Sequence, residues 1–156
     1  MKLYHSSTVS VNLPDILHSR DYLDFGKGFY LTSIHEQAVR YAQRFLRRNR
    51  DAWVCEYDFE CDYDAWKVCR FESYDKAWLN FVSNCRAGND CSDYEIVIGG
   101  IANDKVIQTL DRYFAGELSE EDTLGLLKFE KPNIQYCIRS QRLIDQCLKH
   151  IKSVRL

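Results

Sequence analysis

The stretch YEIVIGGIA, residues 94–102, is a nearly unbroken apolar run bounded by turn-forming residues. Its β-branched side chains and its short length favour a strand over a helix. A strand without polar positions has no face to offer to water, so it must lie inside a sheet that is covered on both sides. The sequence therefore predicts a buried central strand, and the rest of the chain has to supply its neighbours and its cover.

The other predicted elements surround this strand without a regular alternation of strand and helix. Strand-like sequence covers residues 2–5, 52–60, 65–74 and 133–140, and helical sequence covers residues 33–48, 76–85, 106–114 and 141–154, with a further short helix opened by Ser119 and Asp122. This irregular order and the lengths of the loops suit an antiparallel or mixed sheet. We predict an α+β fold in a single domain, residues 1–156.

Two of the predicted helices have clear local signals. Ser33 followed by Glu36 forms the capping-box pattern, which predicts that the helix over residues 33–48 starts at Ser33. In the last predicted helix, Leu143, Cys147 and Ile151 recur at helical spacing and would form its buried face.

Charge and hydropathy narrow the classes of function. A formal charge of −2 and a pI near 6.1 give no overall signature of nucleic-acid binding. Five arginines cluster at residues 40–50, which we interpret as a solvated helix face, with a local basic patch as the alternative. The chain starts MKLYHSST, which turns polar too early for a signal peptide, and it has no apolar stretch of membrane-spanning length. We expect a cytoplasmic protein with no membrane partner.

Seven cysteines, none in a C-x-x-C pair, predict buried free thiols in a reducing compartment. We expect no metal, because zinc sites usually show close cysteine pairs or a histidine ladder. A cysteine hydrolase that pairs a thiol with His5 or His35 is a rival interpretation, although no cysteine stands in a recognisable nucleophile setting.

Three short segments bear on function: LYHSS at residues 3–7, GKGFYLT at residues 26–32 and IQYCIRS at residues 134–140. In this order they resemble the NAD-binding core of the ADP-ribosyltransferase superfamily, in the H-Y-E branch of diphtheria toxin and the poly(ADP-ribose) polymerases. The likeness is closest to a bacterial family of unknown function within that clan, which shares DFGKGFYLT and an apolar strand like YEIVIGGIA. It covers almost the whole chain and implies a mixed or antiparallel split β-sheet with flanking helices.

The resemblance also implies a binding site for NAD. His5 would hydrogen-bond a ribose hydroxyl on the adenosine side, and the main chain of Ser6 would pair with the carboxamide of nicotinamide. Gly26 and Gly28 would let the backbone approach the dinucleotide closely, and Tyr30 would stack on the nicotinamide ring.

Four further residues belong to the implied site: Ser7, Phe29, Thr32 and Tyr41. Tyr41 matches the second stacking tyrosine of the polymerase branch, with packing in the core as the alternative interpretation. A hydroxyl from Thr32 or Ser33 could join the carboxamide clamp.

The third H-Y-E residue is a glutamate in the family, whereas the matching residue here is Gln135. Glutamine can bind a ribose hydroxyl, but it cannot balance an oxocarbenium charge or act as a base. Losing such an electrostatic contact typically slows a reaction by about 10²–10³. Asp24, Glu95 or Asp104 could supply a carboxylate in its place.

These features predict a mono-ADP-ribosyltransferase, which moves one ADP-ribose from NAD to a protein or nucleic-acid acceptor and releases nicotinamide. By analogy it would be a toxin or a defence effector, with an antitoxin or a regulatory protein as a possible partner. The alternative is an inactive module that keeps the pocket and binds NAD or ADP-ribose.

Overall fold

The computed structural model describes residues 1–90 and 92–156, so Cys91, one of the predicted free thiols, lies outside the described residues. The predicted α+β class is confirmed. The strands are β1 Lys2–Ser7, β2 Phe29–Leu31, β3 Trp53–Phe59, β4 Val68–Arg70, β5 Ile96–Ile101, β6 Asn133–Ile138 and β7 Leu148–Arg155. The α-helices are α1 His35–Leu46, α2 Lys76–Ala87, α3 Asp104–Phe114, α4 Glu120–Leu127 and α5 Gln141–Cys147.

The strands form two sheets, one in the order β1-β3-β7 and the other in the order β2-β6-β5-β4. The predicted central strand is confirmed, because β5 lies between antiparallel β6 and parallel β4 and is almost entirely buried. Among residues 1–90 and 92–156, one bridge joins the two sheets: Tyr4 of β1 and Thr32, next to β2, exchange both main-chain hydrogen bonds at 2.8 and 2.9 Å.

The core lies on both faces of these sheets. On one face, side chains of both sheets, among them Leu3, Tyr57 and Ile138, pack with Leu143 of α5 in one continuous cluster. On the other face, α1 covers β1 and β3, while α2 and α3 cover β5 and β6. The helix that follows β2 therefore packs against the neighbouring sheet, not against its own.

The last predicted helix is wrong in its second half. The helix α5 ends at Cys147, and the following residues form β7, which pairs with β3 along its whole length. The helical spacing of Leu143 and Cys147 holds, but Ile151 is 47 % exposed on the new strand. Pairing with β3 decides the outcome, because without β7 that strand would present unpaired main-chain groups on one side.

The predicted cap of α1 is also wrong. The helix begins at His35, and neither Ser33 nor Glu36 provides a side-chain cap. The hydroxyl of Thr32 accepts a hydrogen bond from the main-chain N–H of Ile34 at 3.1 Å instead. The side chains of Asp75, Asn103 and Ser119 cap α2, α3 and α4, so the predicted opening of the short helix at Ser119 is confirmed.

Gly28 allows β2 to approach β6 closely. A Cβ atom at Gly28 would lie 2.4 Å from Sγ of Cys137 and 2.7 Å from the carbonyl oxygen of Ile138. The missing side chain is therefore required by the packing of these two strands.

We expect Gly28→Ala to lower the free energy of unfolding by about 1–3 kcal/mol, because the new methyl group must displace β6. Gly125→Ala is the matched control, since a Cβ there meets no atom within 4 Å on the exterior of α4, and it should raise stability by about 0.5–1 kcal/mol. Urea unfolding of both variants tests this. Equal stability of Gly28→Ala and the parent protein would contradict the close approach of the strands.

Candidate functional site

The ladder between β1 and β2 stops after one hydrogen-bonded pair. In an antiparallel pair the next such pair lies two residues along, so Ser6 should follow Tyr4 and bond Tyr30. Instead, the carbonyl oxygen of Tyr30 lies 2.8 Å from Nδ1 of His5. A side chain thus takes the place of a main-chain donor. We call the opening between β1 and β2 beyond the Tyr4–Thr32 pair the seam.

The main chain of Ser6 faces the seam. Because Tyr4 directs its N–H and C=O towards β2, strand alternation directs those of Ser6 the same way. Within residues 1–90 and 92–156, the N–H and C=O of Ser6 have no partner across the seam. The Ser6 hydroxyl donates to the carbonyl oxygen of Ala38 in α1 at 2.6 Å, so the side chain is engaged while the main chain stays open.

His5 is held in one tautomer. Its ring stacks on Phe29 with centroids 4.2 Å apart, and a carbonyl oxygen can only accept, so Nδ1 carries the proton. Burial lowers the pKa of His5, and the hydrogen bond to Tyr30 offsets this only in part. The imidazole is therefore neutral at pH 7, with a lone pair on Nε2 that can accept a hydrogen bond from a hydroxyl.

Tyr30 fixes the turn that precedes β2. Its hydroxyl donates to the carbonyl oxygen of Gly26 at 2.6 Å and accepts from the N–H of Phe25 at 3.1 Å. Gly26 has a φ of +74°, which suits glycine. Burial raises the pKa of Tyr30, so the hydroxyl stays protonated. The predicted stacking of its half-buried ring on nicotinamide stays a prediction.

Tyr41 does not pack in the core, so that alternative is wrong. It lies on α1 with 42 % of its surface exposed, the edge of its ring against Phe45 and the guanidinium of Arg44 5.2 Å from its centroid. An exposed aromatic ring on the helix behind the seam is compatible with a stacking role, which stays a prediction.

The Thr32 hydroxyl cannot bind a ligand without losing its hydrogen bonds to the start of α1. The hydroxyl accepts from Ile34 and donates to Oε1 of Gln37 at 2.7 Å, and the residue is 3 % exposed. Its predicted part in a carboxamide clamp thus conflicts with its part at the start of the helix. Gln37, which sequence reasoning missed, is the residue that locks this hydroxyl, and its helical position gave no signal of that contact.

Gln135 is half-buried on β6, opposite Gly99 of β5. It shares a face with Cys137, the partner of Tyr30, whereas His5 and Phe29 contribute to the opposite face. The structure thus places Tyr30 and Gln135 on one face of the sheets and His5 on the other. The seam beside Ser6 lies between these two sets of side chains.

The carboxylates considered as replacements for a glutamate have other roles. Asp24 accepts from Arg86 at 2.7 Å and from the main-chain N–H of Ala102 at 2.8 Å, so it ties the loop before β2 to α2 and β5. Glu95 lines a separate cleft, and Asp104 lies in the exposed first turn of α3.

That separate cleft, of about 610 Å³, opens at the C-terminal end of β6, the end at which Cys137 pairs with Tyr30. Gly26 and Lys27 form part of its wall, and a largely buried ion pair of 2.7 Å between Arg139 and Asp90 forms its floor. Ser7, the last residue of β1, is half-buried next to Ser6 and does not line this cleft.

Together these features define an α+β protein whose two sheets meet at a seam lined by main-chain groups and a neutral histidine. The chain belongs to the family described as "Protein of unknown function (DUF3990)", whose family profile it matches over residues 1–150. No curated protein and no solved structure matches the chain. Among the described residues, no helix has the length and apolarity needed to cross a membrane, and no three potential metal ligands cluster.

The buried state of His5 predicts a pH dependence of stability. Because the pKa of His5 is lower in the folded protein, the unfolded chain takes up a proton first as the pH falls, so the free energy of unfolding should decrease below about pH 6.5, by at most about 1.4 kcal/mol per pH unit. His5→Asn keeps a donor for Tyr30 but does not titrate, so its profile should be flatter.

Urea unfolding between about pH 5 and pH 7.5 measures this, since a histidine side chain in an unfolded chain titrates within that interval. The matched control is His18→Asn, because the side chain of His18 is 90 % exposed. If the His5 and His18 variants show the same pH dependence, the burial of His5 is not what we infer.

Proposed function

We propose that the protein binds NAD at the seam and transfers a single ADP-ribose to a macromolecular acceptor. The observation that supports this most directly is the open main chain of Ser6, at the residue that the ADP-ribosyltransferase resemblance assigns to the nicotinamide carboxamide. The split of the strands into two sheets at this same position supports it as well.

A primary carboxamide complements such a strand position. Its carbonyl oxygen accepts one hydrogen bond and its NH2 group donates another, which matches the N–H and C=O that an extended residue presents on one side. The nicotinamide group would continue the ladder that Tyr4 and Thr32 begin. The ring would then lie between the seam and α1, where Tyr30 and Tyr41 offer their faces.

The adenosine end would reach the other face of the sheets. There the lone pair on Nε2 of His5 can accept a hydrogen bond from a ribose hydroxyl, because Nδ1 already donates to Tyr30. His5 and Gln135 lie on opposite faces of the sheets, so an extended ligand would have to reach both sides of the seam to meet both side chains.

The chemistry at this site would favour one transfer over chain growth. As the bond between nicotinamide and ribose breaks, positive charge grows on the ribose, and Gln135 can orient a hydroxyl without neutralising that charge. Gln135 also cannot deprotonate the hydroxyl of a bound ADP-ribose, so elongation lacks a base. An acceptor that is itself a good nucleophile would compensate.

A binding module without activity is the second candidate. Two observations favour it: the uncharged Gln135, and the Ser6 hydroxyl, whose bond to Ala38 narrows the space between β1 and α1. Such a module would hold NAD or ADP-ribose through the same main-chain groups.

Ser6→Pro tests the clamp. The N–H of Ser6 points into the seam and not into the β1–β3 ladder, so proline removes the donor without breaking a strand hydrogen bond. We expect NAD to stabilise the parent protein and Ser6→Ala in a thermal shift assay. The affinity of Ser6→Pro for NAD should be at least about tenfold lower, because the variant lacks one buried hydrogen bond to the ligand.

Nicotinamide release from NAD labelled in the adenylate, measured on the same three proteins, separates the two candidates. Release that disappears in Ser6→Pro and persists in Ser6→Ala supports the transferase. Stabilisation by NAD without release supports the binding module. If NAD causes neither stabilisation nor nicotinamide release, NAD is not the ligand.

Gln135→Glu tests the placement of the ribose. Restoring a carboxylate should raise the rate of nicotinamide release by about 10²–10³, because a charge then faces the developing cation. Ile134→Val, on the neighbouring position but the opposite face, is the matched control and should leave the rate unchanged. No increase in Gln135→Glu would show that the ribose does not lie beside this residue.

A further inference from the structure

The arginines at residues 40–50 are exposed along α1 and the turn that follows it. Arg40 and Arg44 lie one turn apart on the helix, and Arg47, Arg48 and Arg50 come after its last residue, Leu46. We call these five residues the arginine stripe. The segment over residues 35–50 contains a single carboxylate, that of Glu36 in the first turn.

The guanidinium groups of the stripe have no carboxylate partner in the described part of the chain. Of the seven other arginines of the chain, five take part in ion pairs, namely Arg86, Arg112, Arg139, Arg142 and Arg155. A solvated helix face explains exposure, and the helix dipole favours a cation in the last turn. Neither explains the like charges of Arg40 and Arg44 at i, i+4 positions on α1, which repel each other.

We propose that the arginine stripe binds the phosphate backbone of a single-stranded nucleic acid and presents it to the seam as the acceptor of ADP-ribose; the acceptor role rests on the function proposed above. Arg40 and Arg44, four residues apart on α1, are separated by about 6 Å along the helix axis, which suits the repeat of one phosphate per nucleotide. Guanidinium groups bind phosphate in a bidentate manner. Because a single-stranded nucleic acid carries one phosphate at every nucleotide, its phosphates can pair with the arginines in any register.

The arginine stripe and the seam lie on opposite sides of α1. The opposite side of α1 packs on β1 through Ala38, Ala42 and the Ser6 hydroxyl, so the helix itself separates the stripe from the seam. A strand on the stripe would thus lie about one helix diameter, roughly 10–12 Å, from a ligand in the seam. The base or ribose of a nucleotide on the stripe would have to reach across that distance to meet the ligand.

The transfer itself is balanced. A nucleophilic nitrogen or oxygen of the nucleic acid attacks C1′ of the nicotinamide ribose, and the bond from that carbon to nicotinamide breaks with its electron pair going to the ring. Neutral nicotinamide leaves, and the proton of the nucleophile passes to water. No oxidant, reductant or metal ion takes part.

Binding is tested first, without NAD. Fluorescence anisotropy of a short labelled DNA strand, and of RNA of the same sequence, should show binding that weakens as salt rises from about 50 to 200 mM. The triple variant Arg40→Gln, Arg44→Gln, Arg48→Gln should bind about tenfold more weakly and reduce the salt slope by about 2, since each contact to a single strand contributes roughly 0.7.

The matched control removes three exposed lysines from other surfaces, Lys105→Gln, Lys128→Gln, Lys131→Gln, and should bind like the parent protein. Equal losses in both triple variants, no binding by the parent, or equal competition from polyglutamate would overturn the proposal. The last result would show that the stripe recognises charge in general, as an acidic peptide would.

Transfer is tested second, with NAD labelled in the adenylate. Label on the oligonucleotide in the parent protein and the lysine variant, but not in the arginine variant, supports the acceptor role. Nicotinamide release without label on the oligonucleotide overturns it. If no nicotinamide is released at all, the proposed function fails, and the binding experiment still decides whether the stripe holds nucleic acid.

Discussion

The two sheets depend on one pair of main-chain hydrogen bonds, between Tyr4 and Thr32. That pair fixes the register of β1 against β2, and His5 prevents it from extending by taking the carbonyl oxygen of Tyr30. The junction is therefore joined at one point and open at the next. A complete ladder would give a single continuous sheet with no free main-chain groups inside it, and a missing pair would leave the two sheets without a common register.

Side chains reinforce this junction from the helix. The Ser6 hydroxyl reaches Ala38, and the Thr32 hydroxyl connects the first turn of α1 to the end of β2 through Ile34 and Gln37. The helix is thus bonded to both strands of the seam. Groups held in this way need little reorganisation when a ligand arrives, which is the condition under which hydrogen bonds contribute most to binding and catalysis.

Much of the fold could be predicted from local sequence, because β5 and the helices starting after Asp75, Asn103 and Ser119 are specified by nearby residues. The end of α5 could not, since β7 is decided by a partner strand far away in the chain. The letters of the sequence pointed to His5 and Tyr30. The open main chain of Ser6 leaves no such trace, because it results from how two strands pair.

The order of the strands determines when the seam can form during synthesis. Among the described strands, β2 pairs with β6, and β3 pairs with β7. Both sheets that border the seam therefore include a strand from the last quarter of the chain. Contacts this distant in sequence form late in folding. A ribosome would therefore have to finish β6 and β7 before both sides of the seam are in place.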